Sequence, residues 1–193
     1  MRLELLFSLR RLNRAVAILI GTLLLACAAL VLADILLRQA GASFGGTDEI
    51  TGYVMAIVTS WGMGYTLLEL GHVRIDLLRG RVGRLGRSLF DLFSMLILSG
   101  TITLIALRSW PVLARSLDNS SRANTPLETP LAWVQAPWFA GWLFFAIVAW
   151  LTFLAALLLV LRGEFEQAEA AIGTFGEEAE ATAAQTRTES PAP

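Results

Sequence analysis

Charge is scarce in this chain. Only 16% of its 193 residues are Asp, Glu, Lys or Arg, while 55% are hydrophobic. A soluble domain carries about 25% charged residues. There is one cysteine, which excludes a disulfide framework. There is one histidine, His72, too few for the paired axial imidazoles of a membrane cytochrome or for a multi-histidine metal site. Lysine is absent, and all fifteen basic residues are arginine. No P-loop and no Gly-x-Ser-x-Gly elbow occurs. Ser60 and His72 stand about 18 Å apart along a helix, too far for a catalytic dyad. No enzyme, no cofactor and no nucleic-acid partner is expected.

The charges that exist are segregated. Uncharged runs extend over Ala15–Ala33, Ile50–Leu68, Leu92–Leu107 and Thr129–Leu161. A bilayer-spanning helix needs about 20 apolar residues. The pattern predicts an all-α integral membrane protein with four transmembrane helices, near 14–37, 49–70, 88–110 and 134–161, in a membrane domain over 15–162. Cys27 lies in Leu24-Leu25-Ala26-Cys27, which has the form of a lipoprotein cleavage box. The apolar run continues past it to Ala33, as in an anchor rather than a cleaved signal. The stretch 163–193 is acidic and poor in large apolar residues, so it is expected to be a largely disordered tail whose first half extends the last helix.

Arginine placement sets the orientation. Arg2, Arg10, Arg11 and Arg14 precede the first helix, and Arg74, Arg79, Arg81, Arg84 and Arg87 lie between the second and third. The other two connections hold fewer: Arg38 in one, and Arg115 and Arg122 in the other, with Arg108 near its helix end. Positive-inside bias then places the N- and C-termini and the 71–87 loop in the cytoplasm. Trp110, Trp133, Trp138 and Trp142 gather toward the opposite face, as an interfacial aromatic belt does. Residues 1–14 are basic and space Leu3, Leu6, Leu9 and Leu12 three apart. They read equally as an amphipathic helix on the membrane surface or as a simple basic anchor. Membrane lipids are therefore expected partners.

The predicted helix centres carry neither ionisable residues nor proline, which are marks of ion pathways and broken transport helices. Asp34, Glu69 and Asp91 fall near helix ends. What the second helix has is a stripe of small residues, Gly52, Ala56, Ser60 and Gly64, at four-residue spacing. Such stripes let helix backbones approach closely in lipid. Packing within the chain's own bundle is favoured for it over a partner surface.

The stretch GGTDEITGYVMAIVTSWGMGYTLLELGHVRIDLL joins an acidic pair, an apolar span with small residues, and Gly71-His72-x-Arg74-x-Asp76-Leu77-Leu78. It resembles the small membrane subunit of tripartite ATP-independent periplasmic (TRAP) transporters, the DctQ-like family. NTPLETPLAWVQAPWFAGWLFF is similar to that family's approach to its fourth helix. The resemblance covers roughly residues 12–162, and the tail beyond Arg162 departs from it. It implies a small permease subunit that enlarges the fixed scaffold of a large membrane subunit. That large subunit carries the substrate and sodium sites and moves as an elevator, and a periplasmic substrate-binding protein delivers an organic acid. The inner membrane is then the expected location. Gly71 is expected to cap the second helix at the cytoplasmic boundary, with His72 on exposed carbonyls and Arg74 and Asp76 paired locally or with the partner. A generic boundary histidine is the alternative. Asp48, Glu49, Arg115, Asp118, Arg122 and Glu128 are candidate contacts to the periplasmic partner. A four-span scaffold or assembly subunit of another membrane complex is the alternative function.

Overall fold

In the first helix a buried and half-buried line runs through Asn13, Val16, Ile20, Leu23, Cys27, Leu30, Asp34 and Leu37, with half-buried Ala17, Val31 and Ala33 beside it. That alternation of three and four residues is a coiled-coil seam, narrower than the face of a core helix. The structure, a computed structural model, describes residues 2–69 and 82–172, without the side chains of 2–10, 166 and 169–171. The described residues form α1 (Arg2–Gln39), α2 (Thr47–Leu68), α3 (Arg84–Asp118), α4 (Leu131–Leu161) and α5 (Phe165–Ile172). No strand occurs among them, only a single β-bridge between Arg122 and Pro130.

Three helices are long and apolar enough to cross a membrane: Arg11–Gln39, Arg84–Asp118 and Leu131–Leu161. Their outward faces are greasy: Leu25 of α1 is 72% exposed and Leu107 of α3 66%. In water such surfaces would be costly, whereas acyl chains are as apolar as leucine. The second helix is not among these three; Thr51, Thr59, Ser60, Thr66 and three glycines dilute its apolar run. Three of its hydroxyls are turned back on the helix. Thr51 donates to the Thr47 carbonyl at 2.8 Å, Thr59 to Met55 at 2.7 Å and Ser60 to Ile57 at 2.9 Å.

The chain divides into two compact units. One comprises residues 1–65 and 101–148, which holds α1, most of α2, the second half of α3 and the first part of α4. Its buried side chains include Ile20, Cys27, Val54, Ile102, Leu113 and Phe145. The other comprises residues 66–100 and 149–193; its described core includes Leu67, Leu92, Met95, Ala149, Phe153, Ala156, Ala168 and Ile172, with Trp150 edge-on to Phe153.

Helix bounds depart from the hydropathy pattern where packing extends beyond the apolar run. The α3 helix was expected to end near 110 but continues through Pro111 to Asp118. Pro111 deprives the Leu107 carbonyl of its usual donor. The seam nevertheless continues, with Ser109, Leu113 and Ser116 buried, so side-chain packing carries the helix past the break. The α1 backbone is helical from Arg2 onward, with no interruption at residue 14. In the acidic stretch α5 forms, with Ala168 and Ile172 one turn apart and each 1% exposed. Two helix ends are closed by glycine, and the end of α3 by Ser120. Gly41 (φ 79°) and Gly163 (φ 76°) occupy the left-handed position after α1 and α4. The paired bonds Ala42 N to Leu37 O and Gly41 N to Arg38 O, and their counterparts at Leu159 and Val160, complete both caps.

Candidate functional site

Two polar pins in the first unit fix the connections at one end of its helices. The first is Asp34, a seam residue of α1 that is only 2% exposed. Its Oδ1 accepts the Ser43 hydroxyl at 2.9 Å and the Phe44 amide at 2.8 Å. Its Oδ2 accepts Arg38 Nε at 2.8 Å and Nη2 at 2.7 Å. Ionised acceptors make the stronger hydrogen bonds, and this one carboxylate is fully engaged. It folds the 40–46 connection back over the end of α1 and leaves the Phe44 ring exposed.

The second pin is Glu49. Gly46 (φ 72°) caps α2, its carbonyl accepting the Ile50 amide at 3.1 Å. Asp48 and Glu49 then stand in the first turn, where the helix dipole favours acids. Asp48 faces outward. Glu49 turns inward, and its Oε1 accepts the Tyr53 hydroxyl at 2.5 Å. The Thr125 and Thr129 side chains and the Leu127 amide surround the same carboxylate. Its Oε2 is closed off from solvent and no donor meets it in full hydrogen-bond geometry. Glu49 thereby ties the start of α2 to the 119–130 connection. Leu127 of that connection seats against Gly46, so tightly that a Cβ on Gly46 would stand 2.6 Å from Leu127 Cγ.

The 119–130 connection is itself folded. Ala123 N donates to Thr129 O at 2.9 Å, Leu131 N to Ser121 O at 3.0 Å, and Arg122 Nη1 to Glu128 O at 3.2 Å. Ser120 (φ 47°) and Glu128 (φ 45°) hold left-handed backbones without being glycine. Arg115, Asp118, Arg122 and Glu128 all present exposed side chains.

Of the small-residue stripe, the structure engages half. A Cβ on Gly141 of α4 would stand 2.8 Å from Ser60 Cβ and 2.8 Å from Trp61 Cδ1, so α2 and α4 cross here almost backbone to backbone. Trp61 donates Nε1 to the Pro137 carbonyl at 2.9 Å and stacks on Phe144 with ring centroids 5.3 Å apart. Gly64 is buried, facing Phe144, and its carbonyl accepts Asn13 Nδ2 of α1 at 3.4 Å. Ala56 is half-buried. Gly52 is exposed, with open space where a Cβ would be. The sequence pattern missed Gly141, because its partner is set by the crossing of two helices and not by any local spacing. It also missed Asp34 and Asn13 as interior groups; their heptad spacing with Ile20 and Cys27 was the available signal.

Gly71, His72, Arg74 and Asp76 lie outside the described residues. Among the described residues no group of three His, Cys, Asp and Glu gathers as metal ligands would. Cys27 is a free, buried thiol 3.7 Å from the Thr51 hydroxyl. What the first unit offers is a set of tightly gripped helices ending in two pinned, exposed connections.

Described residues that are all helical, with three helices among them long and apolar enough to span a bilayer, make this a multi-pass membrane protein. The family model of the DctQ component of tripartite ATP-independent periplasmic transporters matches residues 27–159. The chain belongs to that family and is a TRAP transporter small permease subunit, of a transport-component family rather than an enzyme family. No match was found among curated proteins or among solved structures.

Proposed function

We propose that this subunit spans the bacterial inner membrane four times, with both termini cytoplasmic, and scaffolds the large TRAP membrane subunit. Together they would take up an organic acid, driven by sodium and delivered by a periplasmic binding protein. The observation that carries the reading is the family match over 27–159. Two others support it. The α2 helix has 22 residues and so measures about 33 Å against a hydrocarbon core of about 30 Å. Thr51, Thr59 and Ser60 are bonded to its own backbone, Trp61 to α4, and the Gly64 carbonyl to Asn13 of α1, which is how such a helix resides in lipid. The nine arginines of 1–14 and 71–87 (four plus five) support a cytoplasmic side for those segments, and with it a periplasmic side for the pinned connections 40–46 and 119–130.

On this reading 15–162 is the membrane domain, 1–14 a basic cytoplasmic lead-in and 163–193 an acidic cytoplasmic tail that begins with α5. The Gly71-His72-x-Arg74-x-Asp76 segment then belongs to the cytoplasmic boundary. Substrate and sodium sites belong to the large subunit. The test is sodium-driven uptake of labelled dicarboxylates and sialic acid into proteoliposomes holding the large subunit and binding protein, with and without this chain. Uptake is expected only with it. Full uptake without it refutes the scaffold role, and uptake by this chain alone refutes the accessory reading.

A further inference from the structure

We propose that Glu49 is a positioning residue that sets the 119–130 connection in the conformation on which the binding protein docks. The inference rests on the reading above, in which this end of the chain faces the periplasm and meets such a partner.

A link between two packed helices needs only about 2–8 residues. This one spans 119–130 and enters and leaves through two non-glycine residues in the left-handed region, Ser120 and Glu128. Ser120 is the left-handed cap of α3, with Ser121 N on Ser116 O at 3.0 Å and Ser120 N on Leu117 O at 3.3 Å. Glu128 instead lies within the connection, where such backbone strain persists only if the surroundings over-determine it. The internal bonds Ala123 to Thr129, Leu131 to Ser121 and Arg122 to Glu128 close the connection on itself. They do not locate it on the helices. Location comes from Leu127 against Gly46 and from the Glu49 carboxylate, held by Tyr53 and surrounded by Thr125, Thr129 and the Leu127 amide. Glu49 is thus turned away from any partner, while what the connection presents is exposed.

The exposed groups also say what fits. Arg115 and Arg122 alternate with Asp48, Asp118 and Glu128. An anionic lipid surface would meet three repelled acids there, whereas a folded protein surface of mixed sign is complemented. A connection already held in its docking conformation spares the ordering cost of binding. Loss of Glu49 therefore weakens docking without touching the transport step.

The experiment is the uptake assay above, run as a titration of the binding protein. In Glu49→Ala the half-saturating concentration of binding protein is expected to rise about tenfold, while uptake at saturation falls much less. Glu49→Gln, which keeps an acceptor for Tyr53, recovers most of the loss. Arg122→Ala raises the half-saturating concentration in the native background and has a smaller effect in Glu49→Ala, because the two act through one connection. If Glu49→Ala fails to assemble, Tyr53→Phe carries the same test with a smaller shift. An unshifted half-saturation in these variants, with uptake still dependent on the binding protein, overturns this inference alone. So does a loss of maximal uptake and of complex stability in parallel, with no change in half-saturation. Uptake indifferent to this chain or to the binding protein overturns the proposed function and this inference with it.

Discussion

Replacing Gly141 by alanine adds one methyl group where α4 meets α2. The new Cβ would lie 2.8 Å from both Ser60 Cβ and Trp61 Cδ1, and nearer still to Ser60 Oγ. Non-bonded carbons rest about 3.5–4.0 Å apart, so the helices must part by about 1 Å at the crossing. Neither neighbour yields easily: Ser60 meets the methyl with its Cβ, and Trp61 is held by its bond to the Pro137 carbonyl and its stack on Phe144. Overpacking costs about 1–3 kcal/mol, and a strained Trp61 bond adds about 1 kcal/mol. Alanine returns about 1 kcal/mol of helix propensity. The net expectation is a loss of about 1–3 kcal/mol. It is read by unfolding the purified chain in mild detergent beside Gly52→Ala and Gly100→Ala, whose added methyl groups meet nothing within 4 Å. Those two should unfold at or above the native chain. Ser60→Gly, made on top of Gly141→Ala, removes the Cβ and Oγ and should recover part of the loss as a measurable coupling. Gly141→Ala as stable as its controls, or no coupling to Ser60, refutes the close crossing.

The other expectations are shorter. Gly46→Ala meets both a positive φ and Leu127 at 2.6 Å, whereas Gly41→Ala meets the positive φ alone. Gly41→Ala should cost about 1–2 kcal/mol and Gly46→Ala clearly more in the same unfolding assay. Asp34→Ala should speed proteolytic cleavage within 40–46 and lower thermal stability. Arg38→Ala should do far less, because its side chain is 54% exposed and water screens the pair; equal effects would mean that the ion pair, not the Ser43 and Phe44 bonds, holds the connection. Reporter fusions after Arg14, Ser43, Arg81, Asn124 and Arg162 should read in, out, in, out, in. A periplasmic reading at Arg81 would refute the four-span arrangement.

The three strongly apolar helices were legible because hydropathy is a local property. Each run of side chains sets its own transfer free energy, whatever it later touches. The stretch 45–78, with Gly71-His72-x-Arg74-x-Asp76 its most specific part, and the approach to the fourth helix carried the resemblance to the family, and the family match spans those residues. Helix lengths were less legible. Nothing in the hydropathy around Pro111 says that α3 should continue, since Leu113 and Ser116 are buried only once neighbouring helices are in place.

The small-residue stripe divides the two kinds of information. Its four-residue period is written in the chain, and with it the ability of α2 to be approached closely. Which members are approached is not. Ser60 and Gly64 are gripped while Gly52 stays open, because two straight helices touch over a limited length and then diverge. The acids follow the same division. The sequence placed Asp34, Asp48 and Glu49 near helix ends, where charge reaches water. Only the fold turned Asp34 onto Ser43 and Phe44, turned Glu49 toward Tyr53 and the 119–130 connection, and left Asp48 outside. A side chain's depth along a helix follows from its number, but the donors that face it come from segments as far as 80 residues away, and only packing brings them together.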